Sequence, residues 1–562
     1  MAHSFTMTDY FDKHHERLQQ AVEATQTRAA WSPFNDSPSR KIHGDAVDAG
    51  LAAFQARLNK PFEIDQPGTI GQTGMEVSPY TQEPLGVTYP KVDVDVLYQA
   101  ARKAIPAWGE AGARTRVGVC MEMVERLNKN SFESANAIMH TTGQSFPMAF
   151  AGGGPNAQER GLEAIVYAHL AMSRVAEGAL WERAFGSTKV KLQKQYRLMP
   201  RGIALVITCA TFPTWNAYPA IFANLATGNA VVIKPHPLTI LPMALAVDIL
   251  RGTLRDAGLD PNLVTLIVDT PAEPIAKELV TRDDTALIDF TGSAHFGKWI
   301  EDNARGRPVF TETSGVNSVV LDSTNDLKGL AQTLGMGLCL YSKQMCTSPQ
   351  NVYIPRNGFG VGDSRLTFDE TAQTLVESIN GLLSDNARAG GVLGAIHNET
   401  ILNLIERAEE LAPSRAKLLR ESKPYAHPDF PNARTRTPVI LGLDISDNDI
   451  YSREWFGPVI HFIAADSSEQ ALQQAASDAK QFGAINSYAY STDAQFIERA
   501  QNAFGDAGAN VSINMIGPMP LTYAAAFSDY HVSGLNPAGN ATLTDEAFVS
   551  GRFRIVQSRM AV

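Results

Sequence analysis

The chain has 562 residues, 44% of them apolar, 19% charged and 8% aromatic, which is the make-up of an ordinary globular protein with more than one domain and not of a disordered or fibrous chain. Asp and Glu number 59 against 48 Lys and Arg, a formal net charge of -11; with no basic excess to displace counterions, nucleic acid is not an expected partner. Four cysteines, Cys120, Cys209, Cys339 and Cys346, are too few for a disulfide scaffold, and the lack of a C-x-x-C pair argues against structural zinc, so no metal ligands are assigned.

The first residues have neither a basic start nor an apolar stretch, and apolar runs such as Gly202 to Ala210 fall far short of the ~20 residues of a membrane span. No membrane partner and a cytoplasmic location are expected. Residues 1 to about 45 read as a polar helical lead with Tyr10, Leu18 and Val22 on one face, and His14 and His15 as solvated surface. Turns mark Asp65 to Gly86, and helical periodicity covers residues 93 to 107 and 115 to 140. Gly152-Gly153-Gly154 has no strand before it and Pro155 after it, and reads as a flexible loop. Lys189 to Leu198 alternates polar and apolar residues, which predicts a half-buried edge strand able to pair with another element or subunit.

From Ile203 onward strands and helices alternate. Strands are predicted at Ile203–Thr208, Ala230–Lys234, Leu263–Val268, Ala286–Phe290 and Val309–Glu312. Helices are predicted through Leu225 and over Leu241–Ala257, Glu273–Thr281 and Ala294–Asn303. Short links between such elements predict a parallel sheet with covering helices, a Rossmann-like nucleotide domain. A second αβ series follows Glu312 and runs to about residue 515. The fold class is therefore α/β. The dinucleotide fingerprint G-x-G-x-x-G is missing after the first strand. Glycines instead stand in Phe290-Thr291-Gly292-Ser293-Ala294-His295-Phe296-Gly297, where the amides of the next helix can face a phosphate.

Five segments occur in one order: Leu225-Ala226-Thr227-Gly228-Asn229-Ala230-Val231-Val232-Ile233-Lys234-Pro235, Phe290-Thr291-Gly292-Ser293 with Gly297, Glu312-Thr313-Ser314-Gly315, Gln344-Met345-Cys346, and Glu454-Trp455-Phe456-Gly457-Pro458. On these the chain resembles the aldehyde dehydrogenase superfamily over roughly residues 75 to 555. The resemblance implies a cofactor domain at 49–186 and 201–312, a catalytic domain at 313–519, and a small β oligomerisation element at 187–200 with 520–562, behind a lead at 1–48. It implies a homodimer or homotetramer.

It also implies site residues. Cys346 would be the nucleophile, since a thiolate adds to an aldehyde and leaves from a thioester. Glu312, 34 residues earlier, would be the base for hydrolysis; relatives that pass the acyl group to coenzyme A usually lack it. The other three cysteines read as buried filler, with Cys209 beside the active-site loop. Lys234 would meet the adenosine ribose, Gly292 and Ser293 the phosphates, and Glu454 with Phe456 the nicotinamide end. Pro237 stands where the family often has Glu, which removes the repulsion of a 2′-phosphate and favours NADP over NAD, with His236 nearby. Thr211 replaces the usual Asn of the oxyanion hole, and Asn216 is the alternative donor.

Within the superfamily the chain looks closest to aldehyde dehydrogenases of phenylacetate degradation. The shared parts are His14-His15-Glu16-Arg17-Leu18, Thr211-Phe212-Pro213-Thr214-Trp215-Asn216, Lys234-Pro235-His236-Pro237 and Ser533-Gly534-Leu535-Asn536-Pro537. The expected substrate is a small aldehyde, an aliphatic semialdehyde carried on a coenzyme A thioester. Opening of the oxepin ring is expected from another protein. A semialdehyde dehydrogenase of benzoyl-CoA breakdown, a coenzyme A-acylating enzyme and a non-catalytic relative stay as alternatives.

Overall fold

A computed structural model describes residues 7–313, 315–531 and 545–562. Its centre is a five-stranded parallel sheet in the order Val264–Leu266, Ala230–Lys234, Ile203–Ile207, Thr285–Gly292, Val309–Thr313. The inner strands Ile203–Ile207 and Ala230–Lys234 are buried throughout and apolar at every position but the last, Lys234, as a sheet covered on both faces requires. Helices Pro213–Ala226, Leu241–Asp256, Ala276–Thr281 and Ala294–Asn303 follow their strands, as the alternation predicts. The helix Ala276–Thr281 starts later than expected because a turn closed by Glu273 N to Thr270 O occupies its predicted first residues.

The Thr-Gly-Asn segment ahead of strand Ala230–Lys234 has a mechanical role. Gly228 takes φ +97°, a left-handed value that ends the helix at low cost. The Asn229 amide then staples the turn: its Oδ1 accepts from Arg201 N and Gly202 N, and its Nδ2 donates to Thr227 Oγ1 and Arg552 O. Arg552 in turn grips Asp289 through two bonds of 2.6 and 2.7 Å, tying the C-terminal strand to the sheet.

The second αβ series forms a seven-stranded sheet, in the order Lys417–Arg420, Val439–Asp444, Val459–Ala465, Asn351–Pro355, Ser318–Leu321, Asn486–Tyr490, Asn510–Ile513, parallel except for its first strand. Among the described residues no helix is long and apolar enough to cross a membrane.

Three expectations are corrected. The strand predicted at Lys189–Leu198 spans Thr188–Pro200 and is the middle of a three-stranded antiparallel sheet, not an edge; Gly178–Phe185 pairs one side through a hairpin and Phe553–Ala561 the other. The sheet edges are those two outer strands. Gly152 and Gly153 end the helix Phe146–Gly153 instead of forming a loop, and Gly154 leads directly into the helix Pro155–Ser173. Absence of a side chain serves packing there, since a Cβ on Gly153 would lie 2.3 Å from Ile138 Cδ1. Third, His14 is buried, its Nε2 2.8 Å from Glu122, which also accepts from Lys13 and Arg126; His15 is exposed as expected. Tyr10 and Leu18 are buried in the lead's apolar face. The tail segment Ser533–Pro537 and Ser314 lie outside the described residues.

Two half-buried and two buried histidines give the fold an acid-sensitive stability. Burial lowers His140 and His236 to about 4 and His397 and His461 to about 3, with neighbouring charges adding for the last three. The native state keeps them neutral, whereas the unfolded chain protonates each near 6.5. Between pH 6.5 and about 4 the unfolded state therefore binds more protons, and stability is lost as pH falls. Each histidine adds ~1.4 kcal/mol per pH unit to that slope once below its unfolded value. Denaturant unfolding at pH 7.5 and 5.5 is expected to show the loss, with a shallower slope in His140→Gln.

Candidate active site

Glu312 is the penultimate residue of the strand Val309–Thr313, and the strand Ser318–Leu321 begins just beyond, so Glu312 lies at the seam between the two large sheets. Cys346 comes to the same seam from the other side. The chain before it makes a left-handed turn, with Tyr341, Ser342 and Lys343 at φ 49°, 50° and 55°. That conformation costs ~1–2 kcal/mol for each non-glycine residue. Side chains hold it: Tyr341 Oη donates to Thr142 O at 2.7 Å, Ser342 Oγ to Leu393 O at 3.1 Å, and Lys343 Nζ to Val459 O at 2.8 Å. Burial brings the Lys343 ammonium down to about 7.

Asn317 fixes the cysteine itself. Its Nδ2 donates to Cys346 O at 2.7 Å and Ser348 O at 3.0 Å, while its Oδ1 accepts from Ile485 N and Asn486 N. Asn317→Ala is expected to lower kcat roughly 100-fold by letting Cys346 drift. It also leaves two buried N–H groups unpaired, at ~1–3 kcal/mol each. Steady-state kinetics and a thermal melt check both effects.

Cys346 Sγ donates toward Glu312 Oε1 at 3.5 Å, and both face a residue that the sequence reading passed over, His531. Its Nε2 is 2.8 Å from the same Glu312 oxygen and 3.8 Å from the sulfur. Glu312 Oε2 is buried with no partner. Burial pushes the Cys346 thiol well above its ordinary value, and the Glu312 carboxylate adds to the rise. His531 is delivered by a loop that the helix Pro155–Ser173 grips: Arg160, paired with Glu163 at 3.0 Å, donates to Asp529 O and Ala524 O, and Glu163 Oε1 accepts from Phe527 N. Trp215 packs edge-on against the imidazole, ring centres 4.9 Å apart.

Two cavities meet at Cys346. One, about 630 Å³, is lined by Thr211, Asn216, Lys234, His236, Gly292, Ser293, Glu454, Phe456 and Cys346, so every predicted site residue except Glu312 opens on it. Ser293 caps the helix Ala294–Asn303, accepting from Phe296 N, and lines the cavity at that helix's N-terminus. Lys234 Nζ is paired with Asp269 at 2.5 Å in the wall. His236 Nδ1 accepts from Leu238 N, so its Nε2 carries the proton, on a neutral ring. The volume, the helix N-terminus and the polar side chains of the lining suit a dinucleotide. The other cavity, about 460 Å³, is mostly apolar, lined by Pro147, Met148, Phe212, Trp215, Leu340 and Met345 with Cys346; Asp36 is the one charged residue among its described lining.

Thr211 is buried and lines the first cavity alone, with its carbonyl accepting from Gln144 Nε2. Asn216 lines both cavities, but its amide nitrogen is spent on Cys209 Sγ at 3.3 Å and Phe212 O at 3.4 Å. Cys120 and Cys339 are buried filler, as expected; burial raises Cys120 beyond the ordinary thiol range and Cys339 to about 12.

Comparison with known proteins places this geometry. The model of the aldehyde dehydrogenase family matches residues 69–547. A crystal structure described as an NAD-dependent aldehyde dehydrogenase from Burkholderia multivorans is 45% identical, with a TM-score of 0.95 over 98% of this chain and 99% of that one. Vanillin dehydrogenase of Corynebacterium glutamicum is 26% identical over 403 residues, 70% of this chain and 75% of its own length. D-glyceraldehyde dehydrogenase (NADP(+)) of Picrophilus torridus is 23% identical over 80% of this chain and 86% of its own length. A cysteine at the meeting point of a dinucleotide-sized cavity and an apolar one, on a fold shared over nearly the whole chain, therefore has one reading: the chain belongs to the aldehyde dehydrogenase family and is an aldehyde dehydrogenase that uses NAD or NADP.

Proposed function

We propose that the chain oxidises an aliphatic semialdehyde carried on a coenzyme A thioester to the free acid, as in the phenylacetate-degradation (PaaN-type) aldehyde dehydrogenases it resembles. The observation that carries this is Cys346 in the shared wall of both cavities, with a carboxylate 3.5 Å from its sulfur. Cys346 Sγ adds to the carbonyl carbon, and its proton passes to the Glu312–His531 pair. The Thr211 hydroxyl and the Cys346 N–H steady the alkoxide. NADP or NAD, when bound, accepts the hydride that leaves the resulting thiohemiacetal. Glu312 then takes a proton from water as that water attacks the thioester, and His531, bonded to Oε1, keeps Oε2 turned to the task. Glu454 and Phe456, in the same cavity lining as Cys346, would meet the nicotinamide end, and Lys234, His236 and the Ser293 helix terminus would hold the rest of the cofactor.

The apolar cavity with no cation in its described lining suits a neutral chain and disfavours a free carboxylate at the far end of the substrate. Pro237 supports acceptance of NADP, and we read NADP as preferred. The antiparallel sheet, with Leu180, Phe185, Ile555, Val556 and Met560 exposed on its outer strands, supports a homodimer or homotetramer. The test is an absorbance screen at 340 nm of neutral, carboxylate-ended and coenzyme A-linked aldehydes with each cofactor. The reading expects the highest kcat/KM for the coenzyme A-linked semialdehyde with NADP, and a rate independent of added free coenzyme A. A requirement for free coenzyme A, or preference for a carboxylate-ended aldehyde, would overturn it.

A further inference from the structure

The sequence spacing gave no metal ligand set, yet folding brings one together. Glu312 and His531 are 3% and 1% exposed, and with Cys346 they offer one oxygen, one nitrogen and one sulfur within 4.8 Å of one another. The separations are 3.5 Å for sulfur to oxygen, 3.8 Å for sulfur to nitrogen and 2.8 Å for nitrogen to oxygen. A tetrahedral zinc ion with bonds of ~2.0–2.3 Å sets its ligand atoms roughly 3.3–3.6 Å apart, so each edge needs to move by about half an ångström or less. The second carboxylate oxygen, Oε2, is buried without a partner and is available to the same cation.

We propose that Glu312, Cys346 and His531 form a binding site for a borderline-soft divalent cation of the zinc type, and that its occupation reversibly shuts the enzyme off. One sulfur, one imidazole and one carboxylate is a donor set that selects such an ion over magnesium or calcium. Three protein ligands leave a fourth position, and one of the three, the Cys346 sulfur, lines both cavities where the aldehyde must approach. As the sulfur–metal bond forms, the thiol proton leaves to solvent and no electrons are transferred. The metal-bound sulfur can no longer attack a carbonyl. The site is drawn from the resting geometry and needs no assumption about which aldehyde is the substrate.

The test uses the full-length protein freed of metal by a chelator. Cobalt(II), a zinc substitute with visible chemistry, is expected to give one saturable thiolate-to-metal absorption band per chain, and zinc is expected to bind with the same stoichiometry by calorimetry. Zinc is expected to protect Cys346 of the unaltered protein from iodoacetamide, read by peptide mass spectrometry, which requires no variant to fold. His531→Gln keeps the thiol and is expected to weaken zinc binding by ~10-fold or more, while Cys346→Ser abolishes the cobalt band. Equal zinc affinity in wild type and His531→Gln would mean that the thiol binds alone and would overturn the proposal, as would absence of the cobalt band or of protection. None of these readouts uses turnover, so a wrong substrate assignment leaves them untouched.

Discussion

Cys346→Ala is expected to lower aldehyde oxidation by at least ~10⁴-fold while leaving cofactor affinity within about twofold of wild type. The first effect follows because the proposed mechanism routes every step through the Cys346 sulfur, and the nearest other thiol, Cys209, is raised to about 11 by burial and bonded to Asn216. The second follows because the cofactor cavity is built from Lys234, His236, Ser293, Glu454 and Phe456, none of which leans on that sulfur for its position. Steady-state rates and a fluorescence titration with NADPH separate the two. Residual turnover of a few per cent would mean another nucleophile and would remove Cys346 from its assigned role.

The second large effect is one of timing. Glu312→Gln is expected to form close to one equivalent of NADPH per chain in a first turnover and then to fall ~10²–10⁴-fold below the wild-type steady rate. Glutamine fills the same volume, so the site keeps its shape, and without a carboxylate to bond to, His531 Nε2 is free to act as an acceptor. His531, 3.8 Å from the sulfur, remains to receive the thiol proton and allows acylation. What glutamine cannot do is take a proton from water, so the thioester stands. Stopped-flow absorbance resolves burst from steady rate; loss of both in equal measure would place Glu312 in the first step alone.

Much of the fold was readable because period and burial agree. Strands such as Ile203–Ile207 are apolar at every position, and the glycine that ends the helix before Ala230–Lys234 is marked by the Thr-Gly-Asn that staples it. The errors share a cause, which is contact with distant partners. Thr188–Pro200 alternates like an edge strand but is paired on both sides, and its second partner lies more than 350 residues away in the chain. His14 looks like solvated surface until Glu122 is brought against it. Gly152 to Gly154 look like loop because no periodicity shows that a neighbouring helix needs their missing side chains.

The site divides in the same way. Cys346, Glu312, Lys234 and Glu454 sit in segments with a recognisable order, whereas His531 and Asn317 carry no local signal. His531 lies 185 residues from the sulfur and 219 from the carboxylate it touches, in a loop placed by the buried Arg160–Glu163 pair. Asn317 works through backbone groups at the start of one remote strand and in the cysteine turn. Such residues become legible only when the two sheets are assembled around the seam.

The central claim is that the substrate's acyl group is carried on Cys346 and released by water under the care of Glu312. Its most direct test is to mix Glu312→Gln with aldehyde and cofactor, quench in acid within the first turnover, and map the digested chain by mass spectrometry. The account predicts the acyl mass on the peptide containing Cys346, in an amount equal to the NADPH burst. An acyl group on another residue, or a full burst with unmodified Cys346, would contradict it.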